Sequence, residues 1–212
     1  ESAHLSEGVS VVEKHDWVLT PFVKVRNLVP ISQVADGWVM SSGLAISDLK
    51  VGGVVQMPLD EGNDYFSDPS AVVVDRASQK AFVASGGSDV VTVVDLDRIA
   101  AWLQRATATE KKEAVYDLSL SADYVVGRIP TKRNPRQLAV TPNGASLLVA
   151  ERLDDCILVV DTKTHLPLGR IVLGDGGLDD PIRRGERVFT TSAYTFQHQF
   201  SCRSCHPDGH VD

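Results

Sequence analysis

Cys202-Arg203-Ser204-Cys205-His206 places two thiols three positions apart and an imidazole directly after the second. In a C-x-x-C-H pentapeptide each thiol can form a thioether to a haem vinyl group, and the adjacent histidine can turn onto the iron as proximal ligand. The spacing therefore predicts covalent haem c on Cys202 and Cys205, with His206 ligating the metal. Three plainer readings compete. A zinc site needs a second ligand pair, and the chain offers only Cys156 and scattered histidines. A thioredoxin-like pair wants the motif opening a helix in a βαβ context, which the sequence lacks. A Cys202-Cys205 disulfide leaves His206 unexplained.

For the sixth position on the iron the chain offers little. His198 and His210 each lie four residues from a motif residue and are held near the proximal side. Met40 and Met57 are distant enough to reach a distal face, but methionines in strand-rich sequence read as packing. The distal ligand is thus expected outside this segment, or the site is open. Cys156, within Cys156-Ile157-Leu158-Val159-Val160, reads as a buried structural thiol. The acidic stretches Asp60-Glu61-Gly62-Asn63-Asp64 and 175–180 lack the ligand spacing of a known calcium loop and read as solvated. Calcium or a second haem is expected only outside this segment.

These groups must be positioned by an ordinary globular chain: 212 residues, 43% hydrophobic, formal charge −7, with mean hydropathy near zero. The negative balance, without a long Lys/Arg tract, argues against nucleic acid or an anionic membrane as partner. No apolar run is long enough to span a bilayer. Haem c is attached after export, so a periplasmic or other extracytoplasmic compartment follows if haem is present.

The strongest organisational signal is an internal repeat. Asp68-Pro69-Ser70-Ala71-Val72-Val73-Val74 matches Asn134-Pro135-Arg136-Gln137-Leu138-Ala139-Val140, and Ala81-Phe82-Val83-Ala84 matches Leu147-Leu148-Val149-Ala150. Val93-Val94-Asp95 then matches Val159-Val160-Asp161. Pro69 to Pro135, Val83 to Val149 and Asp95 to Asp161 are each 66 positions apart. A partial third copy is Leu44-Ala45-Ile46-Ser47-Asp48. Each copy reads as short strands separated by turns, the pattern of antiparallel propeller blades. The spacing from Asp48 to Asp95 is only 47 positions. The surplus in the later copy is assigned to a helix over about 97–114, inserted between two blades, with Ile99, Trp102 and Leu103 on one face. After Gly174-Asp175-Gly176-Gly177 the character changes, and Asp180 and Pro181 read as N-cap and first position of a helix.

The repeats resemble the YVTN-type β-propeller repeat of bacterial and archaeal surface and periplasmic proteins. Phe82-Val83-Ala84-Ser85 with Val93-Val94-Asp95, and Leu148-Val149-Ala150-Glu151 with Val159-Val160-Asp161, take the places of its strand motifs. The match is in pattern, and the signature tetrapeptide itself is altered. From Arg184 to Gly209 the chain resembles the opening of the bacterial di-haem cytochrome c peroxidase superfamily, which includes the methylamine-utilisation di-haem enzyme. Gly185, Phe189, Ser201, Cys202, Cys205 and His206 occupy its motif places, with Asp212 as the following aspartate. Residues 30–39 are similar to a segment of propeller proteins fused to such domains.

The resemblance implies incomplete all-β propeller blades over 1–174, followed over 175–212 by the helical start of a c-type cytochrome domain. A closed propeller needs about four to eight blades, so the chain is expected to be a fragment, or to be completed by another polypeptide. The function implied is a periplasmic redox protein, either peroxidase-like or an electron-transfer component, that docks a redox partner through the propeller. The alternative is a binding scaffold with a structural or vestigial haem. With no evident acid-base group for O–O cleavage, the haem at Cys202, Cys205 and His206 is expected to relay electrons.

Overall fold

The computed structural model describes residues 3–4, 7–25, 39–177 and 180–209. Residues 30–38 of the propeller-fusion resemblance, His210 and Asp212 lie outside the described residues.

Three antiparallel sheets follow one another along the chain. The first holds β1 (Ala3–His4), β2 (Ser10–Val12), β3 (Trp17–Val25), β4 (Met40–Asp48) and β5 (Val54–Pro58), with β3 and β4 paired over nine residues. The second is a meander of β6 (Pro69–Asp75), β7 (Lys80–Ser85), β8 (Val90–Asp95) and β9 (Val125–Pro130). The third repeats it with β10 (Pro135–Val140), β11 (Ser146–Glu151), β12 (Cys156–Asp161) and β13 (Pro167–Val172).

The middle sheet is covered on both faces, and its composition follows from that. Val72, Val74, Ala81, Val83 and Val94 pack toward Leu19, Leu44 and Ile46 of the first sheet. Phe82, Ala84, Val91 and Val93 point the other way, onto Leu147, Val149, Leu158 and Val160 of the third. Successive side chains alternate between faces, so only a run apolar at every position serves both cores. Val90-Val91-Thr92-Val93-Val94 is such a run but for Thr92, whose hydroxyl accepts from Arg128, and it is buried throughout. In the third sheet, Cys156–Asp161 alternates buried and half-buried, because only one face has a neighbour. Its outer strand β13 is exposed along its whole length, with Ile171 and Val172 at 50% and 74% exposure.

The repeat is exact in register for three strands: β6 and β10, β7 and β11, and β8 and β12 each begin 66 positions apart. The fourth strands, β9 and β13, begin at 125 and 167, only 42 apart. The extra 24 residues (66 − 42) therefore lie inside the middle blade, between its third and fourth strands. This corrects the expectation of an insertion between blades. A strand-to-strand crossing at the outer edge can carry any length of chain without disturbing the three inner strands. The insertion forms α1 (Leu96–Arg105), α2 (Ala108–Glu113) and α3 (Ser121–Tyr124). Asp95 caps α1 by accepting from the Arg98 amide, and Ile99 and Trp102 are buried in the core between the first two sheets, with Leu103 packed partly buried against them. Thr107 and Glu110 form a capping box on α2.

The aspartates that end the third strands share one role. Asp48 accepts from the amides of Lys50 and Val51, and Asp161 from those of Lys163 and Thr164. These backbone donors hold both carboxyls below the usual range. At the opposite end of the blades the strand-1 entrance is also repeated. Asp68 and Asn134, both in the left-handed region at φ 55° and 56°, accept through their carbonyls from Gly86 and Arg152 respectively. No helix among the described residues is long and apolar enough to cross a membrane.

Candidate functional site

The segment after β13 lies across the blade end marked by Asp68 and Asn134. It begins with α4 (Pro181–Thr190), capped by Asp180, whose carboxylate accepts from the Ile182 amide at 2.9 Å, with Pro181 at the first position. The helix turns its polar side to the propeller. Arg183 pairs with Asp155 at 2.5 Å, Glu186 with Arg152, and Arg187 donates to the carbonyls of Leu153 and Gly176 at 2.8 and 2.6 Å. Two of its apolar residues face outward, Ile182 at 81% exposure and Val188 at 56%, while Phe189 is half-buried. Arg152, Glu186, Phe189 and Arg203 line a cleft of about 340 Å³ between this helix, the motif and the blades.

Residues 191–200 then tie the chain down across two sheets. Ser192 donates through its amide and hydroxyl to the Gly87 carbonyl, both at 2.9 Å. Gln199, 2% exposed, accepts on Oε1 from the amides of Val39 and Met40 at 2.8 and 3.2 Å. His198 sits at φ 59° with Nδ1 3.2 Å from the Ser192 carbonyl. Met40 and Met57 are both core residues, 6% and 0% exposed.

The pentapeptide forms a one-turn helix, α5 (Cys202–Cys205), with two unlike faces. Cys202, Cys205 and His206 are exposed, and both cysteines are free thiols. Ser201, Arg203 and Ser204 are buried against the propeller. Ser201 Oγ and Ser204 Oγ each donate to one oxygen of Asp68 at 2.5 Å. The Ser201 amide donates to Ser204 Oγ at 2.8 Å. Arg203 pairs with Glu7, whose other oxygen pairs with Arg136 at 3.1 Å. Burial pushes the Asp68 carboxyl up, against the serine hydroxyls and the Arg203 and Arg136 charges, which pull it down. Desolvation raises the Cys205 thiol, and the Asp68 charge adds to it. Gly87 is required here: a Cβ would stand 2.3 Å from Ser67 Oγ and 2.8 Å from Asp68 Oδ2.

Sequence reasoning brought together Cys202, Cys205 and His206 and missed their backing. Asp68 and Arg136 fall inside the matched repeat units, but nothing local marks them as partners of a motif more than sixty residues away. Glu7 carries no signal at all. Cys156 is buried as expected, its Sγ 3.0 Å from Glu151 Oε2, and burial pushes its thiol up to about 11. The reading of residues 60–64 as a solvated loop holds for the exposed Gly62, Asn63 and Asp64 and is corrected at Asp60. Asp60 is 1% exposed, accepting from the amides of Ser42 at 2.6 Å and Phe66 at 2.8 Å, and burial pushes its carboxyl to about 7. It ties β4 to the loop that leads into β6. Glu61 pairs with Arg128 at 3.0 Å, and that guanidinium lies 3.5 Å over the Phe66 ring. Among the described residues no group of three or more His, Cys, Asp or Glu could hold a metal ion.

Comparison with known proteins adds the fold's relatives. No family model matches the chain. Hydrazine synthase subunit beta of Kuenenia stuttgartiensis is 28% identical over 138 residues, which cover 65% of this chain and 36% of that protein. The solved structure of Kuenenia stuttgartiensis hydrazine synthase superposes with a TM-score of 0.72 at 23% identity, over 76% of this chain and 46% of that one. The likeness supports a propeller fold for the three sheets. This chain spans less than half the length of the relatives it matches.

Proposed function

We propose that the chain is a c-type haem redox protein in which the propeller is the platform for the haem-bearing segment. One observation carries the reading: α5 presents Cys202, Cys205 and His206 together on its outer side while its inner side is fixed to the blades. That donor set fits haem. Each thiol would add across one vinyl double bond, sulfur to one carbon and the proton to the other, and His206 would supply the proximal nitrogen. Bound haem would supply a one-electron couple; the chain's own residues orient it. The exposed apolar side chains Ile182, Val188, Tyr194 and Phe196 give the same segment a surface suited to a macrocycle or to further haem-domain structure.

The named relative, a subunit of hydrazine synthase, favours a redox-associated role and a place among further polypeptides. The open face of the third sheet, with half-buried Ile157 and Val159 and exposed Ile171, suits another blade. Periplasmic location, a second haem and peroxidase-like chemistry belong to this proposal. The scaffold reading shares the propeller and differs only in whether the haem turns over electrons.

Expression in a host that matures cytochromes c tests it. The expected product gains the mass of one haem, resists acid-acetone extraction, is reduced by a small cytochrome donor and is reoxidised by an added acceptor such as ferricyanide. A mass equal to the bare polypeptide would sink the proposal. Rapid peroxide turnover by the segment alone would sink the relay role within it.

A further inference from the structure

Asp68 is where the propeller grips the motif. It is 3% exposed, and both its oxygens are engaged by serines that flank or lie within α5. The equivalent residue one repeat later is Asn134, at the same left-handed conformation and 2% exposed, whose amide donates to the Gly86 carbonyl at 3.1 Å. The blade therefore needs only the short polar shape at this place, not the charge. A buried carboxylate costs desolvation unless it is paired and hydrogen-bonded, and a neutral isostere serves the sister blade. The charge at 68 is explained by what it faces: Ser201, Ser204, and the Arg203 and Arg136 guanidinium groups, themselves bridged by Glu7.

We propose that Asp68 is a positioning residue for the haem site, anchoring the Cys202–Cys205 turn to the propeller and placing one negative charge behind it that favours the ferric state. This rests on the haem reading above. Ferric haem would carry one more positive charge than ferrous haem, so a fixed carboxylate behind the motif that holds it would lower the potential of the couple.

Two measurements separate charge from anchoring. In haem-loaded protein, Asp68→Asn keeps the left-handed backbone, as Asn134 does, and can still hydrogen-bond both serines. Covalent loading is expected to be retained. At fixed potential the ferrous-to-ferric ratio is expected to rise about tenfold, about 59 mV for a one-electron couple. An unchanged midpoint overturns the electrostatic role. In the haem-free chain, Asp68→Ala is expected to speed hydrogen exchange at the amides of residues 201–206 while those of β7 and β8 keep their protection. Unchanged exchange there overturns the anchoring role. Should wild-type chain take up no haem under maturing conditions, the haem reading fails, and the exchange experiment still decides whether Asp68 anchors the turn.

Discussion

Single side chains in this molecule are set by whether the fold takes them out of water. His206 stays exposed beside two free thiols, whereas Asp60 and Asp68 are buried carboxylates with backbone or hydroxyl donors aimed at them. His206→Ala is expected to leave thioether attachment possible but remove the proximal nitrogen, shifting the Soret band of the loaded protein. Cys202→Ala or Cys205→Ala is expected to leave one thioether and one free vinyl, read as a displaced α-band in pyridine haemochrome spectra. Asp60 carries a pH prediction. Its folded carboxyl titrates near 7 against an ordinary value of 3.8, so between those values the folded state holds a proton that the unfolded chain has released. Stability from this group therefore falls as pH rises from about 4 to about 7 and stays low above it. Urea denaturation at pH 5 and pH 8 should show that loss in wild type. In Asp60→Asn the difference over this window should shrink.

At the scale of elements, α1 and α4 are both amphipathic and point their apolar sides in opposite senses. Ile99 on α1 is fully buried, and Ile182 on α4 is 81% exposed. Ile99→Ala should cost roughly 2–5 kcal/mol, the range for emptying a core aliphatic site. Ile182→Ala should stay within about 0.5 kcal/mol in this chain, and thermal unfolding of the two variants checks the contrast. The helix after β8 was legible because Ile99, Trp102 and Leu103 fall on one helical face, whereas its cap by Asp95 came from the structure. The position of the insertion inside a blade was missed, although a signal for it exists: Gly127-Arg128-Ile129 of β9 recurs as Gly169-Arg170-Ile171 of β13. That pair is only 42 positions apart, so it falls outside the 66-residue register of the three inner strands.

For the whole molecule, burial decreases from the middle sheet to the third. A strand with apolar side chains on both faces and no neighbour is an association site. Ile171→Lys, on exposed β13, is expected to reduce concentration-dependent self-association in sedimentation velocity without lowering thermal stability. Retained association in that variant would place the contact elsewhere.

Local pattern by itself determined the pentapeptide, the 66-residue register of Pro69 with Pro135 and Asp95 with Asp161, and the capped start of α4. Each is a signal read within a few residues or by aligning one stretch with another. Only the tertiary structure decided that the motif has a buried side. Ser201 meets Asp68 across 133 positions, and Arg203 meets Glu7 across 196. Serine and arginine beside a cysteine look the same in sequence whether they face water or a carboxylate. The difference is made by desolvation, and desolvation depends on what the rest of the chain brings near.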